Sequence, residues 1–311
     1  MNGSGRGMSY RIAFACIALM LGLSGAGHAQ ESAAPVAREA GSAGVPRLST
    51  DEEIRAEFEA VPCKNKERLA AVKALFERMG AAPGEIVIEK KGGVENLLIR
   101  KPAAVETAEK IVIGAHYDKT GDGCGAIDNW TGIVAIAHLY RTLKDTPMKK
   151  TLVFVAFGRE EEGLVGSTQL AGAIRKEQLM EYCAMVNVDS LGLAMPQVAD
   201  NMSVPSLEAL AATVAREMEM PYAHADLPNG DSDSTSFNRR KIPALTIHGL
   251  SKDWPKILHG RNDQVARIDM AGVYLGYRLA ASMVTRIDAA DCHAFREVKT
   301  KKEKKESKEK R

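Results

Sequence analysis

From Ile111 to Phe157 the chain reads IVIGAHYDKTGDGCGAIDNWTGIVAIAHLYRTLKDTPMKKTLVFVAF. Two short apolar runs rich in β-branched residues, Ile111 to Ala115 and Leu152 to Phe157, bracket a segment whose apolar residues recur at helical spacing from Trp130 to Lys144. Strand, helix, strand in that order is a βαβ unit, and its crossover makes the two strands parallel and covered on both faces. The alternation continues outward. A helix is predicted near Ser167 to Arg175, a strand over Ala184 to Val188, a helix over Ser206 to Glu219, a strand over Ala244 to His248 and a last helix over Met270 to Ile287. Upstream, Thr50 and Glu53 form a capping box for a helix to about Ala60, and Lys64 to Met79 has helical spacing up to the Gly80 stop. Glu85 to Glu89 and Asn96 to Lys101 resemble a strand pair around Gly92-Gly93. The whole predicts an α/β protein with a largely parallel sheet between helices, ligands gathering at the carboxyl ends of the strands. No repeat at a solenoid period is visible.

Each predicted strand end carries chemistry. His116-Tyr117-Asp118 follows IVIGA, Asp128-Asn129 opens the helical stretch, Glu160-Glu161 follows TLVFVAFGR, Asp189 ends MVNVD, and His259 stands downstream in LHGRND. A neutral imidazole just past a buried strand can face a metal, and Asp118 at i+2 is spaced to orient it; a solvated histidine explains His-x-Asp as simply. Asp128, taken alone, reads as a helix N-cap. The run Glu160-Glu161-Glu162 repels itself unless solvated or neutralised by a cation, so a solvated loop and a metal site stay open there. Asp189 is harder to dismiss, because an unpaired carboxylate at a buried strand end is costly. His116, Asp128, Glu161, Asp189 and His259 together form an oxygen-and-nitrogen donor set without thiolate, suited to two zinc ions sharing a bridging carboxylate.

The strings GAHYD, GAIDNWTGIVA, FVAFGREEEGLVGS, MVNVDSLG and LHGRND, in this order from Ile111 to Ser190 and from Asp231 to Asp269, resemble the exported co-catalytic dizinc aminopeptidases of metallopeptidase family 28, which also contains glutamate carboxypeptidases and glutaminyl cyclases. The resemblance implies a three-layer α/β sandwich with a mixed, mainly parallel eight-stranded sheet, and a zinc peptidase domain over residues 51–296. It implies that His116 and Asp189 hold one metal, Glu161 and His259 the other, and that Asp128 bridges them. Glu160 is then the general base and Asp118 orients His116. The implied substrates are peptides with a free N-terminus. Two departures stand out. Ser232-Asp233-Ser234 replaces the Ser-Asp-His of many relatives, removing any substrate contact from that histidine, and His259-Gly260 replaces His-Thr, which leaves His248 in LTIHG as a competing imidazole. Glutaminyl cyclase, which needs no hydrolytic water, and a catalytically silent binding domain on the same fold are the alternatives; the second expects a lost ligand or base, and none is lost.

The chain has 311 residues, 45% hydrophobic and 26% charged, enough for one large core. Residues 1–29 read as a cleaved export signal, with Arg6 and Arg11, the apolar run Ile12 to Leu23, and Gly27-His28-Ala29 as the cleavage site. That run is too short for stable membrane insertion, and Cys16 lacks a lipobox. A periplasmic or secreted location follows, with residues 30–50 as a disordered linker. The tail, residues 297–311, carries eight basic and four acidic residues; without it and the two leader arginines, the formal net charge of +2 becomes −4. Interleaved Glu and missing aromatics argue against nucleic acid as a partner, so the tail is expected to be solvated and disordered. Export lets Cys63, Cys124, Cys183 and Cys292 oxidise. A bridge between Cys63 and Cys292, tying the ends of the domain together, stands beside free buried thiols as the expectation.

Overall fold

The structure, a computed structural model, describes residues 46–296. The leader, most of the linker and the charged tail anticipated above lie outside the described residues.

Eight strands and seven α-helices follow one another along the described residues. The strands are β1 (Ile86–Lys91), β2 (Val94–Lys101), β3 (Lys110–His116), β4 (Thr151–Phe157), β5 (Tyr182–Val188), β6 (Gln197–Ala199), β7 (Ala223–Ala225) and β8 (Ala244–His248). The helices are α1 (Asp51–Ala56), α2 (Asn65–Arg78), α3 (Thr131–Leu143), α4 (Val165–Ala173), α5 (Pro205–Glu217), α6 (Asp233–Arg239) and α7 (Met270–Ala289). They build one mixed sheet in the order β1-β2-β4-β3-β5-β8-β6-β7. Its centre, β4-β3-β5-β8, is all parallel, while β2 joins β4 and β6 joins β8 antiparallel.

The period of two along each central strand divides the core. Ile111, Ile113, Leu152, Phe154, Ala184, Val186, Leu245 and Ile247 face the larger apolar layer, with residues of α1, α2, α3, α5 and α7. Their alternates Val112, Val153, Val155, Phe157, Met185 and Ala244 face a smaller layer, with residues of α4 and α6. Both faces being covered is the reason these strands read as unbroken apolar runs.

Thr50 caps α1 with the expected reciprocal bonds to Glu53. The helix predicted from Trp130 begins instead at Thr131, and its cap is not Asp128: the Asn129 side chain accepts from Gly132 N–H at 2.9 Å. Neither cysteine expectation holds. Disulfides join Cys63 to Cys124 and Cys183 to Cys292. Cys183 is the second residue of central strand β5, which brings it to the end of the sheet where the chain returns after α7, whereas Cys63, just ahead of α2, lies against the loop after β3. Strands β6 and β7 and helix α6 have no counterpart in the sequence reading: three residues show no period, and DSTSFNR carries one large apolar residue, Phe237.

Candidate metal centre

Parallel strands end on one edge of the sheet, and that edge collects the polar residues. His116 is the last residue of β3, Glu160 and Glu161 lie just past β4, Asp189 follows β5 directly, and Asp128 and His259 come from the loops before α3 and after β8. Two triads form, His116–Asp128–Asp189 and Asp128–Glu161–His259, in each of which the candidate ligand atoms lie within 4.8 Å of one another. Asp128 belongs to both. Its Oδ1 is 3.0 Å from His116 Nε2 and its Oδ2 is 3.0 Å from His259 Nε2. Asp189 Oδ1 stands 3.4 Å from His116 Nε2, and Glu161 Oε2 3.1 Å from His259 Nε2. Each of the five predicted ligands is therefore within reach of its assigned group.

The charges explain why a cation fits. Burial works against a protonated His116, yet Glu160 and Asp189 raise its pKa well above the usual range. Hydrogen bonds to Asp128 and Glu161 push His259 up to about 10. Asp128 is lowered despite its burial, through His116 and His259. Without metal, protons on the two imidazoles offset part of the carboxylate charge; a metal ion held here would take the place of those protons. The donor set is carboxylate oxygen with imidazole nitrogen and no thiolate, which zinc and other divalent first-row metals accept.

Three supports hold the ligands. Asp118, expected to orient His116, has its carboxylate 3.7 Å from Nδ1. The Asp118 backbone carbonyl at 3.2 Å takes that part, leaving Nε2 to face the triad. The Asp118 carboxylate instead accepts the backbone N–H groups of Glu160 and Glu161, at 3.0 and 3.1 Å, which fixes the loop after β4. Ser190 and Ser232 donate to the two oxygens of Asp189. Asp263, 2% exposed, accepts Ile127 N–H at 2.7 Å and Asp128 N–H at 3.2 Å, tying Asp128, the residue shared by both triads, to the His259 loop. The sequence reading assigned no task to Asp263 or Ser232, although Asp263 ends the LHGRND string.

Glu160 is set apart. Its carboxylate accepts no hydrogen bond among the described residues, its Oε2 lies 4.0 Å from His116 Nε2, and burial with Asp233, Asp189 and Asp128 raises its pKa well above the usual range against the pull of His116. A carboxylate beside the triads, in reach of His116 but belonging to neither, is placed to take a proton. His248, the competing imidazole, belongs to neither triad. It accepts Leu250 N–H on Nδ1 at 3.1 Å, and burial lowers its pKa to about 4, so the ring is neutral. Ser234, at the position of the relatives' histidine, donates to the Met202 carbonyl inside the core. The centre opens into a cavity of about 450 Å³ lined by the apolar cluster Leu227, Leu250, Trp254 and Leu258 together with Asn229, Asp231 and Arg239.

A parallel-centred α/β sheet that gathers carboxylates and imidazoles at its strand ends is the architecture of a metallopeptidase. Residues 96–283 match peptidase family M28, and the chain belongs to that family. It is 25% identical to leucine aminopeptidase 2 of Trichophyton equinum over 246 residues, which cover 68% of this chain and 46% of that protein. The chain thus spans about half the length of that curated relative. Among solved structures, the LapA aminopeptidase of Legionella pneumophila superposes with a TM-score of 0.63 at 22% identity, covering 79% of this chain and 77% of LapA. A glutaminyl cyclase of an Acidobacteriales bacterium superposes with a TM-score of 0.68 at 18% identity, covering 81% of this chain and 99% of that one. These two likenesses are of fold.

Proposed function

We propose that this chain is an exported aminopeptidase that holds two zinc ions and removes the first residue from peptides with a free N-terminus. The observation that carries the reading is Asp128, which offers one carboxylate oxygen to each of two triads while Glu160 stands beside them, 4.0 Å from His116 and outside both. Zinc at these triads supplies Lewis acidity toward water and the scissile carbonyl. Glu160 accepts the proton of the attacking water and returns it to the leaving amine. The surrounding carboxylates favour a cationic α-amine, and the apolar wall of the cavity favours a large apolar first side chain. Two disulfides support export, since such bonds persist outside the reducing cytosol. No helix among the described residues is long and apolar enough to cross a membrane.

Hydrolysis of a panel of aminoacyl-anilides, with and without chelator and with an N-blocked control, tests this. Chelator-sensitive release from the free amines alone supports the reading. Cleavage of the blocked substrate contradicts it, and cyclisation of an N-terminal Gln peptide without hydrolysis would transfer the site to the glutaminyl cyclase reading suggested by the Acidobacteriales fold.

A further inference from the structure

Arg68 is the largest side chain with no exposed surface among the described residues. A guanidinium has five N–H donors in a rigid plane, and four of them are used here on backbone carbonyls. Nε donates to Tyr117, Nη1 to Pro62 and Cys124 at 3.0 Å each, and Nη2 to Gly125 at 3.1 Å. The plane also lies over Trp130, 5.3 Å from the ring centroid. Tyr117 follows ligand His116 and Gly125 precedes Asp128 by three residues, so a single side chain clasps both ends of the loop joining two ligands. The middle of the loop is held from the same helix. Asn65 donates to the Lys119 carbonyl at 2.8 Å and accepts Lys119 N–H at 2.9 Å, and Cys63 is bonded to Cys124. Cys63, Asn65 and Arg68 all lie ahead of residues 96–283, the span that matches the family.

We propose that the start of α2 is a clamp on the metal centre, in which Arg68 is the positioning residue that sets the separation of His116 from Asp128. Resting on the metal-centre reading above, this assigns part of the centre's precision to a segment outside the family's matched core. The charge belongs there as well as the shape. Burial pulls Arg68 down to about 10, and the nearby Asp118, Asp128, Asp263 and Glu161 pull the other way, so it stays a cation. A lysine would keep the charge but, as a single-point donor, could not span Tyr117 and Gly125.

The test is the zinc dissociation constant, measured by chelator competition on the full chain for the wild type, Arg68→Met, Arg68→Lys and Asn65→Ala, well below each variant's Tm. Zinc affinity should fall about 10- to 100-fold in Arg68→Met, the range for residues that orient metal ligands, and Arg68→Lys should not restore it. Asn65→Ala, which removes two bonds at the loop's outer face, keeps the question open to measurement if the Arg68 variants fail to fold; its affinity should fall at least threefold. Folded variants that bind zinc within twofold of the wild type, with only Tm lowered, would reduce the clamp to a packing role and overturn the proposal. Recovery in Arg68→Lys would overturn the geometric part in favour of charge alone. A wild type that binds no zinc would sink the metal-centre reading itself.

Discussion

Replacing Asp128 by Asn keeps the shape of the side chain and removes the charge that both triads share. Helix α3 loses no cap, because Asn129 accepts from Gly132 N–H. A site with free zinc a hundredfold above its dissociation constant gains about 2.7 kcal/mol of stability for the fold. Asp128 stands in both triads, so about 5 kcal/mol of zinc-dependent stability should vanish with it. Glu161 stands in one triad, and Glu161→Gln should forfeit about half. At about 2–4 °C per kcal/mol for a chain of this size, zinc should raise the wild-type Tm by roughly 10–20 °C over chelated protein, Glu161→Gln by about half, and Asp128→Asn by almost nothing. Thermal unfolding with zinc or chelator, with elemental analysis of metal per chain, reads all three. The increment is the quantity to compare rather than Tm, because in chelated protein Asp128 also pairs with His116 and His259. An Asp128→Asn protein with two zinc ions and a wild-type increment would refute the bridging assignment.

Glu160→Gln should lower kcat about 10²- to 10⁴-fold, the usual share of a general base, with zinc content unchanged; a near-normal kcat would remove Glu160 from the proton path. His259→Ala should cost one zinc per chain and most activity, while His248→Ala should keep both ions and lose only packing, and the reverse pattern would exchange their roles. His138, buried against Ser49 Oγ at 2.8 Å, is lowered by burial from 6.5 to about 4. Its folded pKa lies below the unfolded one, so the unfolded chain binds the extra proton and stability falls as pH drops from about 6.5 to about 4, by up to ~3 kcal/mol. Urea unfolding of chelated protein at pH 7 and pH 4.5 should show that loss shrinking in His138→Gln; an unchanged loss would place the acid sensitivity elsewhere.

The central sheet was legible because burial on both faces leaves a strand no choice but apolar residues, as in Ile111–Ala115 and Leu152–Phe157. Asp189 was legible for the opposite reason, since a charge directly after such a run needs a partner, whereas Asp128, Glu161 and His259 were singled out by the family resemblance. What escaped the sequence depends on neighbours that it does not display. Asp128 and Asn129 are both good caps, and only the turn geometry gives the cap to Asn129. Asp263 finds Ile127 across 136 residues, and Arg68 finds Gly125 across 57. Cysteine pairing followed the path of β5 and α2, not the distance from the chain's ends.

The two triads are built to different standards, and the backbone shows why. His116 ends a hydrogen-bonded central strand and is 1% exposed, and Asp189 follows directly on another, its second oxygen held by Ser232. His259 stands on a loop with its side chain 52% exposed and its φ at +57°, a left-handed value that costs a non-glycine residue about 1 kcal/mol. Arg159, immediately before the Glu160-Glu161 pair, and Ser190, immediately after Asp189, carry the same strain at +55° and +58°, so what sets His259 apart is that the strain falls on the candidate ligand itself. These conformations persist where surrounding contacts over-determine them. For His259 the contacts are backbone ones: a Cβ on Gly121 would overlap the His259 carbonyl and one on Gly123 the Gly260 carbonyl, while Cys124 N–H donates to the Asp263 carbonyl at 2.8 Å. The loop that carries the last ligand therefore rests on the loop that Arg68 clasps. Residue 259 is tied to the centre through Gly121 and Gly123, and these through Cys124 to the segment at the start of α2, so within the second triad Glu161 takes its place from the sheet through the loop after β4, while His259 takes its place from a loop that α2 holds.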